Sequence, residues 1–241
     1  MNVLIIGPKS IHVSSYIKSM EHNKALKFYL IAEDVCNFEN VAQEFNVNFR
    51  SINPIVIVRN YYRLKKIIAT VKPDCIHIHQ LNRLAYFASR AAKALSIPIL
   101  STAWGTDVLQ IPQQNKLYKY LVTLIIKRSV YITADAQSMI DAMQLIVPNE
   151  NKYKLLQYGI NPIQAGIKEN IIYSNRLHTP LYRIAQVINY FNDFSKVHPH
   201  WKLLIAGDGI ENNNLKKIVT ELKLEDKIKL SVIFFAIKCH K

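Results

Sequence analysis

The sequence is poor in glycine, cysteine and acid. Six glycines and three cysteines occur in 241 residues, and 17 Asp and Glu stand against 31 Lys and Arg. The cysteines, Cys36, Cys75 and Cys239, are scattered and form no CxxC pair, which excludes a disulfide framework and a cysteine-based zinc ribbon. No apolar run approaches the roughly 20 residues that a membrane-crossing helix needs. The opening "MNVLIIGPK" has no basic lead before its short apolar run, so it does not read as a secretory signal. These absences predict a soluble protein of a reducing cytoplasm. The shortage of acid leaves a net charge of +14, which draws a protein towards nucleic acid, anionic membrane surfaces or phosphorylated substrates. The basic residues are spread along the chain (Lys65 and Lys66, Lys116 and Lys119, Lys127 and Arg128, Lys216 and Lys217) with no basic tail. No zinc finger, RRM signature or basic-zipper heptad accompanies them, so nucleic acid is not an expected partner.

Short β-branched runs alternate with helical periodicity along the whole chain. "NVLII" (2–6), "KFYLIA" (27–32), "PIVIV" (54–58), "DCIHIHQ" (74–80), "IPILS" (97–101) and "VYITA" (130–134) read as strands. Between them, Leu64, Ile67, Ile68 and Val71 recur at helical spacing. A further helix carries Leu84, Ala88, Ala91 and Leu95 on one face behind Asn82 as its cap. Asp135 reads as the cap of the helix that follows it. After "YGINPIQAGIKEN" (158–170), which reads as a linker, the pattern restarts. "IIYSN" (171–175), "WKLLIAG" (201–207) and "KIKLSVIFFAI" (227–237) are strands. One helix opens at Thr179 and Pro180, and another buries Leu215, Ile218, Val219 and Leu222. Alternation of this kind predicts a parallel sheet with helices on both faces, first over residues 1–165 and again over 166–241.

Four of the six glycines, Gly7, Gly105, Gly207 and Gly209, follow predicted strands. Ligands of open α/β sheets bind at the carboxyl ends of strands, and glycine there permits a close approach of the backbone. In "IIGPKSIHVSSYIKSM" (5–20) the amides around Gly7 and the next helix N-terminus can receive a phosphate, with His12 in the loop as a hydrogen-bonding group. Neither a P-loop nor a GxGxxG pattern is present. "DCIHIHQLN" puts His77 and His79 on one strand face. His79 lies nearer the strand's end and the cleft, His77 packs under a helix, and no third metal ligand is evident. In "LSTAWGTDVLQ" (100–110), Trp104 can stack on a sugar ring beside Gly105, and Asp107 can accept sugar hydroxyls or act as a base. The bland alternative is a capping aspartate beside a core tryptophan. "AGDG" (206–209, with Asp208 between its glycines) and Arg176 in "YSNRLHTPLYRI" stand at two further strand ends, where a guanidinium fork suits a diphosphate.

Taken in order, these motifs resemble the retaining glycosyltransferases of family 4. They are the Gly7 loop, "DxIHxH" (Asp74 to His79), "TxxGxD" (Thr102 to Asp107), "YGIN", "SNRL" (Ser174 to Leu177) and "LLIAGDG" (Leu203 to Gly209). The resemblance implies a GT-B fold: a complete acceptor-side Rossmann-like domain, then the first part of a nucleotide-sugar-binding one. It implies transfer of a sugar (hexosyl type) from a nucleotide sugar, without cofactor or metal. By that resemblance Gly7 lines the diphosphate side of the cleft and Asp107 lies beside the transferred sugar, while Arg176 neutralises the leaving group. Trp104, however, stands where many relatives have histidine, and Leu181-Tyr182 where many have Lys-Gly.

The family pattern continues with a glutamate pair after the last strand, and this sequence ends at Lys241 without one. The expectation is therefore a truncated enzyme acting on a cell-surface polysaccharide or lipid-linked acceptor, with peripheral contact to the anionic inner face of a membrane. Its rivals are an inactive remnant or acceptor-binding module, and a basic α/β nucleic-acid-binding protein.

Overall fold

The computed structural model describes residues 1–149, 151–157 and 168–231. The chain divides into two compact units, Met1–Gly159 and Ile160–Lys241. Most of the expected linker, and the expected boundary at 165/166, lie outside the described residues.

In the first unit seven strands form one parallel sheet in the order β3-β2-β1-β4-β5-β6-β7. They are β1 (Asn2–Ile6), β2 (Lys27–Ala32), β3 (Gln43–Asn46), β4 (Cys75–His79), β5 (Ile99–Thr102), β6 (Tyr131–Ala134) and β7 (Tyr153–Leu155). The helices between them are α1 (Ile11–Ser19), α2 (Pro54–Val71), α3 (Arg83–Ala94), the single turn α4 (Ile111–Gln114), α5 (Lys116–Arg128) and α6 (Gln137–Ile146). Strand side chains alternate between faces. One face, with Leu4, Ile6, Ile76, Ile78, Ile99 and Ile132, shares a core with residues of α2, α3, α5 and α6. The other face buries Val3, Ile5, Phe28 and Leu30 against Val13 and Ile17 of α1. On β4 this second face is polar, because the residues that alternate with Ile76 and Ile78 are Cys75, His77 and His79.

Several local expectations need correction. Residues 54–58 are the start of α2, not a strand. Asn53 caps the helix by accepting the Ile55 amide (2.9 Å), and Pro54 occupies its first turn. Ile55 is 77% exposed, which a buried strand would not allow. His12 lies in the first turn of α1 rather than in the loop; Ser10 is the cap, its hydroxyl accepting from the Val13 amide. Asp135 caps nothing, since the cap position of α6 is Ala136, without a side-chain bond.

The second unit holds a parallel sheet of order β10-β9-β8, from β8 (Ile171–Ser174), β9 (Lys202–Ala206) and β10 (Ile228–Ser231). Helices α7 (Ile184–Val197) and α8 (Asn212–Glu221) bury Ile188, Phe191, Leu215 and Val219 against Leu203 and Ile205. Thr179 and Pro180 open only one 3-10 turn, Pro180–Tyr182. Arg183 then takes a left-handed backbone (φ 51°) before α7 begins. Residues 232–237 of the last predicted strand lie outside the described residues.

Among the described residues six other non-glycine residues share that conformation: Asn37, Asn40, Lys72, Gln80, Ser96 and Lys223. Lys72 is the cap that ends α2.

Candidate functional site

The carboxyl ends of β1, β4 and β5 bring together five residues that the sequence singles out. Gly7 is packed so closely that a Cβ there would lie 3.0 Å from Val13 Cγ2 and 3.2 Å from His79 Cβ. It seats the start of α1 over the end of β4. The His12 and Trp104 rings meet edge to face at 5.2 Å, and Trp104 lies 6.4 Å from the His79 ring. Gly105 has φ +102° with open space around its missing side chain, so the loop before Asp107 uses its conformational freedom and not its small size.

Asp107 is fully buried. One carboxylate oxygen accepts the Trp104 amide (2.9 Å) and the other the Leu81 amide (2.8 Å). The Leu81 carbonyl in turn accepts the Tyr118 hydroxyl (2.8 Å). Burial raises the Asp107 pKa, opposed by the amides that point at it. Burial and the nearby Asp107 charge push Tyr118 up to about 12. This geometry does not fit an aspartate that accepts sugar hydroxyls or serves as a base. It ties the loops after β4 and β5 together and so sets where Trp104 stands.

Beside this clamp lies a histidine pair. His77 Nε2 bonds Thr102 Oγ1 (2.8 Å), which bonds Thr133 Oγ1 (2.8 Å), a polar line across three adjacent strands. The two imidazoles are 4.2 Å apart, and Tyr16 lies against both. Among the described residues His77 Nδ1, both ring nitrogens of His79 and Trp104 Nε1 are buried without a hydrogen-bond partner. Burial pushes the His79 pKa down to about 4, with a smaller push from His12, and holds His77 well below its ordinary value. Both rings are therefore neutral at pH 7. They line a pocket of ≈ 330 Å³ with Tyr16, Thr102, Thr133 and Leu156. His79 does stand at the strand end where the sequence put it, and His77 faces the same pocket.

In the second unit the loops after β8 and β9 interlock. A Cβ on Gly207 would lie 2.1 Å from the Arg176 carbonyl, and one on Gly209 2.3 Å from that of His178. These glycines make room for protein backbone. Asp208 accepts the Gly209 amide (2.8 Å) and the Asn212 side-chain amide, and Asn212 Oδ1 bonds His178 Nδ1. His178 is buried, and among the described residues its Nε2 has no partner. It lines a pocket of ≈ 110 Å³ with Gly207, Asn212 and Lys216 at the amino end of α8. Arg176 is exposed, its guanidinium 5.9 Å from the Tyr182 ring centre. Sequence reasoning missed His178, Asn212 and Lys216. The signal for His178 was its place two residues after Arg176 at a strand end.

The profile of the "Glycosyl transferase 4-like" family matches residues 4–136, more than half of the chain and nearly all of the first unit. The chain belongs to this family. An uncharacterized glycosyltransferase of Methanocaldococcus jannaschii is 24% identical over 213 residues, which cover 76% of this chain and 52% of that protein. The chain thus spans about half of that relative's length. Among solved structures, Anabaena HepE in complex with UDP superposes with a TM-score of 0.75 at 12% identity, over 95% of this chain and 68% of that one. UDP-GlcNAc 2-epimerase of Neisseria meningitidis, bound to UDP-GlcNAc, gives 0.67 at 17% identity, over 95% and 71%. At these identities the likeness shows the fold, Rossmann-like units of the kind found in GT-B proteins, and the epimerase shows that other chemistry uses it.

Proposed function

We propose that this protein transfers a sugar of hexosyl type from a nucleotide-sugar donor to a lipid-linked or cell-surface polysaccharide acceptor, with retention of configuration as the family resemblance implies. The second unit takes the donor's diphosphate and the first takes the acceptor. The observation that carries this reading is the second unit's strand-end pocket. There a buried histidine presents an unpartnered Nε2 beside Lys216 and the amino end of α8, with Arg176 exposed on the adjoining loop. Helix amino ends, lysine and arginine are the groups that hold phosphate.

Breaking the bond between sugar and diphosphate builds negative charge on the phosphate oxygens. A fixed cation is then worth more in the transition state than in the ground state. Arg176 fills that role, and His178, whose Nδ1–H donates to Asn212 Oδ1, leaves Nε2 as an acceptor for a donor hydroxyl. The solved relatives with UDP or UDP-GlcNAc bound support a uridine nucleotide as the first donor to try. In the first unit Trp104 and His79 offer a ring face and neutral hydrogen-bonding groups, a surface that suits an uncharged sugar ring. Asp107 acts as a positioning residue behind them.

The test combines UDP titration with donor turnover. Arg176→Ala should lower turnover by roughly 10²-fold, the scale of removing one fixed charge-stabilising donor, without shifting the unfolding midpoint, because Arg176 is exposed. Unchanged turnover in that variant removes Arg176 from the mechanism. UDP binding with no turnover in the unaltered chain favours a binding module over an enzyme.

A further inference from the structure

The excess positive charge is not spread evenly over the fold. Helices α2, α3 and α5 contain eleven basic residues and no acidic one, so they hold eleven of the fourteen net charges. They pack side by side over the same core, α3 against both α2 and α5. Among the described residues none of the eleven is ion-paired with a carboxylate. Two of the acids that precede α2, Glu33 and Asp34, are already paired with Arg50.

The same layer exposes large apolar side chains. A helix advances about 100° per residue. Ile55, Val58, Arg59, Tyr62, Arg63 and Lys66 therefore form one stripe of α2, opposite the buried stripe of Leu64, Ile67, Ile68 and Val71. All six of the first stripe are exposed. Ile52 (89% exposed) and Leu117 (68% exposed) flank a groove of ≈ 420 Å³ with Tyr86, Phe87, Tyr118 and Leu121. A helix with one stripe buried in a core has no need of aliphatic residues on the other. Contiguous exposed apolar surface of this kind marks a contact site. Cations interleaved with Ile, Val and Tyr match an anionic bilayer surface, where headgroups take the charge and the acyl boundary takes the side chains. Nucleic acid offers the charge but no apolar depth. Among the described residues no helix is long and apolar enough to cross a membrane, so the contact is with its surface.

We infer that the α2–α3–α5 layer of the first unit docks on an anionic lipid surface through the outer stripe of α2 and the Ile52–Leu117 groove. The inference deepens the transferase reading by giving it a place to meet a lipid-linked acceptor.

The test uses the full chain and sedimentation with phosphatidylcholine vesicles, with and without phosphatidylglycerol. Binding should require the anionic lipid and fade at high salt. Arg59→Glu with Arg63→Glu and Lys66→Glu should weaken it by about ten-fold or more. Lys18→Glu with Lys24→Glu and Lys27→Glu changes net charge equally, on residues outside the three helices, and should weaken it far less. Ile55→Ser with Val58→Ser should also weaken it at constant charge. Equal losses from the two triple variants overturn the inference, as does indifference to lipid charge. Retained vesicle binding in Ile55→Ser with Val58→Ser, alongside tight binding of single-stranded RNA through the same cations, overturns it in favour of nucleic acid. UDP titration of each variant keeps the two readings apart. Vesicle binding without UDP binding upholds the docking face and removes the transferase reading, and the reverse result removes only the docking face.

Discussion

Asp107 shows how one buried side chain can hold two loops together. Two backbone amides that would otherwise be buried unpaired, those of Leu81 and Trp104, end on its carboxylate. Asp107→Asn keeps one acceptor and turns an NH₂ group towards the other amide. The expected cost is about 2 kcal/mol in unfolding free energy, the price of one buried unsatisfied donor, measured by denaturant titration. Tyr118→Phe, which frees only the Leu81 carbonyl, should cost about half as much. Equal and negligible costs would mean that the clamp does not hold the loops. The sequence made the "TxxGxD" stretch visible but not which way its aspartate turns. Side-chain direction there depends on Leu81, 26 residues away.

At the level of elements, strands with continuous β-branched runs were legible, and the parallel order of the first unit follows from them. The strands that escaped notice, β3 and β7, are short edge strands reading "QEFN" and "YKL", with no apolar run to betray them. "PIVIV" was misread because an apolar run of five fits either element, and the deciding feature was its exposure. The strand-end glycines were legible in position but not in purpose. Gly207 lies against backbone, whereas Gly105 needs a positive φ and has open space. Gly207→Ala should therefore force the loops after β8 and β9 apart and cost about 1–3 kcal/mol or more, with UDP affinity falling too. Gly105→Ala should cost about 1–3 kcal/mol, from backbone strain alone and without displacing a neighbour. Thermal unfolding and UDP titration of the two variants side by side check the contrast, and equal losses of UDP affinity would contradict it.

Over the whole molecule, the buried histidine pair links stability to acid. His79 has a pKa of about 4 when folded against an ordinary value of 6.5, so between those values the unfolded chain binds the extra proton. Its neutral form supports the fold fully above 6.5, and that support drains away as pH falls towards 4, by up to about 3 kcal/mol. His79→Phe should leave stability at pH 7 nearly unchanged and flatten its decline between pH 6.5 and 4.5; an unaltered slope would show that other groups carry the dependence. A last consequence concerns the seven non-glycine residues that, among the described residues, have left-handed backbone. Each sits in a conformation that an L-residue resists by roughly 1 kcal/mol, and none of the seven belongs to the docking stripe of α2. The chain that opened as glycine-poor thus carries strain at Lys72, Ser96 and Lys223, beyond the ends of three helices. These turns are a reserve of heat resistance, open to glycine replacement without altering any proposed binding surface.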